Sequence, residues 1–292
     1  MAAWVLGVIG GSGIYEIDGL ENARWTKMDS PFGPPSDDLL IGRLGEVELA
    51  FLPRHGRGHR LPPSHVNARA NIDALKRAGC TDILSLSAVG SLRESLAPGQ
   101  FVVVDQFIDR TFAREKSFFG PGLTAHVSMA HPVCPRLSAL AYQASRAAGA
   151  HTVMGGCYLA MEGPQFSTLA ESNLYRSWGC DVIGMTNMPE AKLAREAELP
   201  YASVAMVTDY DCWHETEADV EVSHILEVMA SNSRTARELV RRLALALPDR
   251  RAPSPIDTCL DGALITPPGA RDPAVMNNLS AIVGRAVQGE KA

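Results

Sequence analysis

Thr208-Asp209-Tyr210-Asp211-Cys212-Trp213 follows an apolar run over residues 201–207, and the reading of that junction decides how the rest of the chain is arranged. The run reads as a strand, and carboxylates one residue apart on a strand, or in the loop leaving it, reach the same side and one ligand. A planar, nitrogen-rich ligand suits such a pair. Like charges this close disfavour double ionisation, so one carboxyl can hold a proton near neutral pH and donate it, as a general acid must. The same residues also fit a plainer reading, since an aspartate after a strand is commonly a turn former or a helix N-cap.

Working outward, the strand is one of several that alternate with helices. Apolar runs over residues 4–9, 47–52, 83–88, 101–104, 156–161 and 181–184 read as strands. Helical spacing covers residues 64–78, 137–148, 168–178 and 191–197, and a long amphipathic helix follows the two aspartates from Val222 to Leu247. Residues 105–131 form a long excursion of the kind that is often functional or covers a neighbour. The expected fold is α/β: a single domain with a central mixed, largely parallel sheet flanked by helices. It takes in residues 1–292, with 249–292 as a proline-rich loop and helix arm.

The polar clusters fall where strands end. Gly10-Gly11-Ser12-Gly13 offers backbone donors and a hydroxyl to an anion, but Glu16 stands where the dinucleotide fingerprint needs its third glycine. Arg54-His55-Gly56-Arg57-Gly58-His59-Arg60 concentrates cations that suit phosphate or carboxylate oxygens, although a solvated basic loop has the same composition. Ser87-Ala88, Phe166-Ser167, Met185-Thr186 and the aspartates complete the set. Ligands of α/β sheets bind outside the carboxyl ends of strands, so six clusters on one rim imply one composite pocket.

Composition narrows the classes. A net charge of −6 argues against a chain whose task is to coat nucleic acid. Six scattered cysteines without a C-x-x-C pair point to reduced thiols in a cytoplasm, with neither a zinc site nor a disulfide framework. No apolar stretch approaches a membrane span, and the N-terminal apolar run lacks a basic leader, so no membrane partner is expected. No feature calls for a metal.

Six pieces in order resemble the S-methyl-5′-thioadenosine phosphorylases of the trimeric purine nucleoside phosphorylase family. They are Gly10-Gly11-Ser12-Gly13, Arg54-His55-Gly56, residues 105–111, Glu162-Gly163-Pro164 with Phe166-Ser167, Met185-Thr186 before Pro189-Glu190, and the Asp209-Tyr210-Asp211 stretch. The resemblance covers residues 5–247. It implies a nucleoside-phosphorylase-like fold and reversible phosphorolysis of methylthioadenosine to adenine and 5-methylthioribose 1-phosphate, with inorganic phosphate as cosubstrate and no cofactor. It assigns Ser12, Arg54, His55, Ser87, Ala88 and Thr186 to phosphate, Met185 to the ribose and Phe166 to the base. Asp209 becomes the acid at purine N7 and Asp211 the acceptor for the exocyclic amine, while Ser167 and Val222 bear on substrate choice. Homotrimers are implied, with His126 as a residue that reaches a neighbour's pocket.

Substrate choice rests on the Asp-Tyr-Asp pair, Val222 and Ser167, while other residues depart from the family's pattern. The Asp-Tyr-Asp pair favours 6-aminopurines, whereas Asn187-Met188 resembles relatives acting on 6-oxopurine nucleosides such as inosine or methylthioinosine. Gln165 replaces a common arginine and Ser12 a common threonine, and His224 sits two residues past Val222. A purine sensor without turnover would use the same pocket groups for recognition and would show no phosphate dependence.

Overall fold

The computed structural model describes residues 4–11, 13–214 and 222–289, with side chains from 226 onward in the last stretch. The first strands are β1 (Val5–Gly10), β2 (Glu21–Thr26), β3 (Leu39–Leu44) and β4 (Val47–Pro53). Then come α1 (Ala68–Arg77), β5 (Asp82–Ser91), β6 (Phe101–Val104), β7 (Gln106–Asp109), α2 (Pro135–Ala147), β8 (Thr152–Met154) and β9 (Cys157–Ala160). The chain closes with α3 (Leu169–Ser177), β10 (Val182–Gly184), α4 (Asn187–Glu196), β11 (Tyr201–Asp209), α5 (Val222–Ala246), α6 (Pro273–Asn278) and α7 (Ser280–Gly289).

All eleven strands join one mixed sheet, in which six of the ten ladders are parallel. Its hub is β5. This strand pairs in parallel with β1 and β11, and its last residues turn to an antiparallel pairing with β10. The exits of β5, β10 and β11 are thereby brought together.

Side chains of the central strands divide by alternation. Ile9, Ile83, Val102, Val104, Tyr201, Ala205 and Val207 pack with residues of α1, α4 and α7. Their sequence neighbours Val8, Leu84, Leu86, Phe101, Val103, Val204 and Met206 pack with α2 and α5. A sheet covered by helices on both faces leaves no polar side for its inner strands, which is why they read as nearly unbroken apolar runs. This is the α/β architecture that the sequence pattern implies.

Several elements differ from the sequence expectation. The helix expected from residue 64 starts at Ala68, because Pro62 and Pro63 shape a short 3-10 turn and Asn67 Oδ1 then caps the helix by accepting from Ala70 N at 3.1 Å. The hairpin of β2 and β3 was not expected, since the β2 side chains are largely exposed and show no alternation. Residues 249–289 thread back over the molecule: Ile256 joins one core face, and Leu260, Leu279, Ile282 and Val283 join the other. Arg251 fastens this stretch by bonding both Asp257 and the fully buried Asp82 at the start of β5.

Among the described residues no helix is long and apolar enough to cross a membrane, and the six cysteines are free.

Candidate active site

A cavity of about 480 Å³ opens where β5, β10 and β11 end, within the range of small-molecule sites. Two polar groups line it: Thr208, Asp209 and Asp211 leaving β11, and His55, His59, Arg60 and Thr186 from the loops after β4 and β10. Met161, Phe166, Ile183, Met185 and Met229 make up much of the remaining wall, an apolar lining against which a ring or a thioether packs well.

The aspartate pair depends on how β11 ends. The β5–β11 register slips between Val207 and Asp209, leaving Asp209 opposite Gly90. A bulge of this kind re-aims side chains at a strand end. Asp209 Oδ1 then accepts from Asp211 N at 2.8 Å, and Asp211 takes the left-handed conformation, with φ of 55°. Aspartate is among the few residues that adopt it readily. The turn-former reading and the ligand reading of this stretch are therefore compatible.

The hydrogen-bond count around Thr208 bears on protonation. Its Oγ1 lies 2.6 Å from Asp209 Oδ2 and 3.1 Å from Val89 O. A hydroxyl has one proton to give, so when it goes to the carbonyl the shorter contact requires a proton on Asp209. Among the described residues Asp211 Oδ2 is buried without a hydrogen-bond partner. Burial, with the Asp209 charge adding to it, pushes the Asp211 carboxyl up to about 6. The two carboxyls lie close enough for the charge of Asp209 to disfavour a charge on Asp211.

The cationic loop is differentiated by burial. Arg54 is 2% exposed, and its guanidinium bonds Glu190 through Nε and Nη2, Ser85 Oγ through Nη2 at 2.6 Å and Leu86 O through Nη1 at 2.9 Å. One of its five N–H groups, on Nη1, has no acceptor among the described residues. Burial alone would push the Glu190 carboxyl up, but Arg54 holds it below the usual range. His55 lies 2.8 Å through Nδ1 from Leu61 O, and a carbonyl only accepts, so Nδ1 carries the hydrogen. Burial and the charge of Arg54 push this imidazole down to about 4, leaving it neutral at physiological pH with Nε2 as an acceptor. The His59 ring stacks on it at 4.3 Å.

Of the residues singled out in the sequence, His55, Ala88, Phe166, Met185, Thr186, Asp209 and Asp211 line one cavity. Arg54 lies behind its wall. Ser87 is buried, and its Oγ lacks a partner among the described residues. Ser167 is buried, with its hydroxyl 3.8 Å from Met161 Sδ and its carbonyl accepting from Cys212 Sγ at 3.3 Å. Ser12 lies outside the described residues, as do the side chains of Val222 and His224. Gln165 is exposed, and Asn187 is fully buried, where it donates to Ser203 Oγ. His126 lines a different cavity with Lys116, Lys192 and Glu196. Among the described residues no group of three or more His, Cys, Asp or Glu is placed to hold a metal ion.

Sequence reasoning did not single out Gly90, Thr208 or Glu190 for these roles. Glu190 carried no local signal, since its partner lies 136 residues away. Gly90 carried one, as a glycine inside a strand marks close approach by another group.

Comparison with known proteins agrees with this geometry. Residues 5–245 match the phosphorylase superfamily model. A Cereibacter sphaeroides S-methyl-5′-thioadenosine phosphorylase is 61% identical, over 98% of this chain and 99% of its own. The solved structure of a methylthioadenosine phosphorylase from an antarctic soil metagenomic library superposes with a TM-score of 0.91 at 45% identity, covering 97% of this chain and 99% of that one. The Schistosoma mansoni methylthioadenosine phosphorylase in complex with adenine does so with a TM-score of 0.77 at 36% identity, covering 96% and 98%. The chain belongs to the phosphorylase superfamily, among its S-methyl-5′-thioadenosine phosphorylases.

Proposed function

We propose that this enzyme catalyses the reversible phosphorolysis of S-methyl-5′-thioadenosine to adenine and 5-methylthio-α-D-ribose 1-phosphate, a pentosyl transfer in purine and methionine salvage. The observation that carries the reading is one cavity walled both by the Asp209 and Asp211 carboxyls and by a loop carrying His55, His59 and Arg60. A phosphate oxygen attacks the anomeric carbon as the bond to N9 breaks, and the bonding electrons pass into the purine. Asp209 delivers its proton to N7, so the base leaves neutral, and Asp211 accepts from the 6-amino group. Placing nucleophile and acid around one bound sugar supplies much of the rate.

Ser12, Arg54, His55, Ser87, Ala88 and Thr186 hold phosphate in this reading. It is supported by the remaining Arg54 N–H and by the partnerless buried hydroxyl of Ser87, since buried polar atoms without partners are rare. His55 takes part as an acceptor: its Nε2 receives the P–OH of a phosphate monoanion, and another oxygen attacks. Met185 lies along the ribose and Phe166 against the base, and Ser167 and Val222 bear on the choice at the 5′ position. Inorganic phosphate is the only cosubstrate, with no cofactor or metal.

Residues 1–292 act as one phosphorylase domain with a C-terminal arm, working in the cytoplasm as a homotrimer. Support for subunit contacts near the site comes from exposed apolar side chains, with Phe112 at 81% and Phe166 at 54% exposure. His126 faces a neighbouring subunit in that arrangement.

The test is release of free base from methylthioadenosine, methylthioinosine, adenosine and inosine, each with and without phosphate. Phosphate-dependent adenine release, fastest from methylthioadenosine, is expected. Preference for methylthioinosine would overturn the role of Asp211, and release from none of the four would favour a purine sensor.

A further inference from the structure

The excursion after β7 sends one side chain deep into the molecule behind the cavity wall. Arg114 is 6% exposed at its side chain. Its Nη1 donates to the carbonyls of Met185 at 2.6 Å and Met188 at 2.8 Å, and its Nη2 donates to the carbonyl of Glu162 at 2.7 Å. Longer contacts reach Met161 O at 3.4 Å, and Nε pairs with Glu162 Oε1 at 3.3 Å. Glu162 Oε2 in turn accepts the amides of Phe112 at 2.6 Å and Ala113 at 3.2 Å, which fixes the backbone that carries Arg114. Arg114 and Glu162 form an ion pair, so the cluster carries no net charge.

What it adds is geometry. Met161 and Glu162 leave β9, and Met185 leaves β10. A planar fork of five donors spans both exits, which the point charge of an ammonium cannot do. The two carbonyls on Nη1 bracket Thr186 and Asn187. With the Met185 carbonyl drawn back to Arg114, the trans peptide sends the Thr186 N–H the opposite way, 3.4 Å from Tyr158 Oη. The Met185–Thr186 peptide is thus held at both ends, its carbonyl by Arg114 and its N–H by Tyr158, which fixes the turn that carries Thr186 into the cavity wall.

We infer that Arg114 is a positioning residue for the phosphate subsite, acting through the Met185–Thr186 turn. The inference rests on the phosphorolysis reading above. Met185 and Thr186 are the wall residues of the turn that the fork holds, and Thr186 is the one assigned to phosphate, while the carboxylates at the purine end are built on β11.

The experiment compares wild type, Arg114→Lys and Arg114→Ala by steady-state kinetics, varying phosphate and methylthioadenosine separately, with Tm recorded for each. Arg114→Lys is expected to raise KM for phosphate about tenfold or more, the scale of a displaced binding group, and KM for the nucleoside by less than about threefold. Arg114→Ala should recover part of its phosphate affinity on addition of free guanidinium at low millimolar concentration. A folded Arg114→Lys with unchanged phosphate KM, or with both KM values raised alike, would overturn the inference while a phosphate-saturable wild type leaves the reaction standing. A wild type without phosphate dependence would overturn both. Should Arg114→Ala not fold, the Lys variant decides.

Discussion

Gly90 stands directly opposite Asp209 in the β5–β11 ladder, and a Cβ at position 90 would lie 2.9 Å from Asp209 Oδ1 and 3.4 Å from Asp211 Cβ. The glycine is the floor on which both carboxylates rest. Asp209 Oδ1 is also the acceptor that shapes the turn to Asp211, so displacing it moves both groups.

Gly90→Ala should therefore cost activity far more than stability. Small misplacement of catalytic groups costs about 100-fold in rate, so kcat/KM for methylthioadenosine should fall by that order. Tm should fall by no more than a few degrees, because the core atom met is Ile183 Cγ2 at 3.2 Å, a contact that needs a shift of only a few tenths of an ångström. An alanine variant with wild-type kcat/KM would show that the pair tolerates the shift.

The raised Asp211 carboxyl fixes the sign of a pH effect on stability. Its folded value of about 6 lies above the ordinary carboxylate value, so between about pH 4 and 6 the folded state binds more protons than the unfolded one. The contribution is complete below that window and is lost as pH rises through about 6. Relative to Asp211→Asn, wild type should lose at most about 3 kcal/mol between pH 4 and 7.5, from two units at 1.36 kcal/mol each. Urea unfolding of the two proteins at both pH values reads this directly. A difference independent of pH would contradict the burial that raises the Asp211 carboxyl.

Glu190→Gln tests the pair behind the cavity wall. The substitution keeps shape but leaves the Arg54 cation buried without its counter-charge, a loss on the scale of about 3–5 kcal/mol. Glu190 also accepts from Ser85 Oγ at 2.7 Å and Tyr201 Oη at 2.8 Å, and these contacts join Arg54 to β5 and β11. Chemical denaturation should show the loss, with phosphate KM rising as Arg54 shifts. Unchanged stability would mean that Arg54 finds another partner.

How much of this was legible in the sequence follows from how local each feature is. The inner strands announced themselves because both faces are covered, as at Leu84 and Val204, so most of their side chains are apolar, and buried exceptions such as Ser85 and Ser203 are hydrogen-bonded. The β2–β3 hairpin did not, since β2 lies at an edge and carries Glu21, Arg24 and Trp25 toward solvent. The Asp209–Asp211 spacing was visible because one turn makes it. The Arg54–Glu190 pair and the Arg114 fork join residues far apart in the chain, and no spacing encodes them. Sequence reading took the basic loop as uniformly cationic. The structure separates a buried, paired Arg54 from an exposed Arg57 bonded to Asp37 and a His55 that is neutral.

That neutrality supports the last prediction. His55 Nδ1 is bound to Leu61 O at 2.8 Å, so the Nδ1–H tautomer is held and Nε2 has only a lone pair to offer. An imidazole pushed down to about 4 binds fewer protons in the folded state than in the unfolded one between about pH 4 and 6.5. The stability it contributes is present above 6.5 and is lost as pH falls through about 4, the reverse of Asp211. Nitrogen-resolved NMR of imidazole-labelled protein should show His55 as the Nδ1–H tautomer at pH 7, titrating near 4. Replacement by glutamine would remove the bond to Leu61 O and weaken phosphate binding at every pH, with no new ionisation near neutrality. A His55 midpoint near 6.5, or an Nε2–H signal at pH 7, would make the residue a donor and reverse its role toward phosphate.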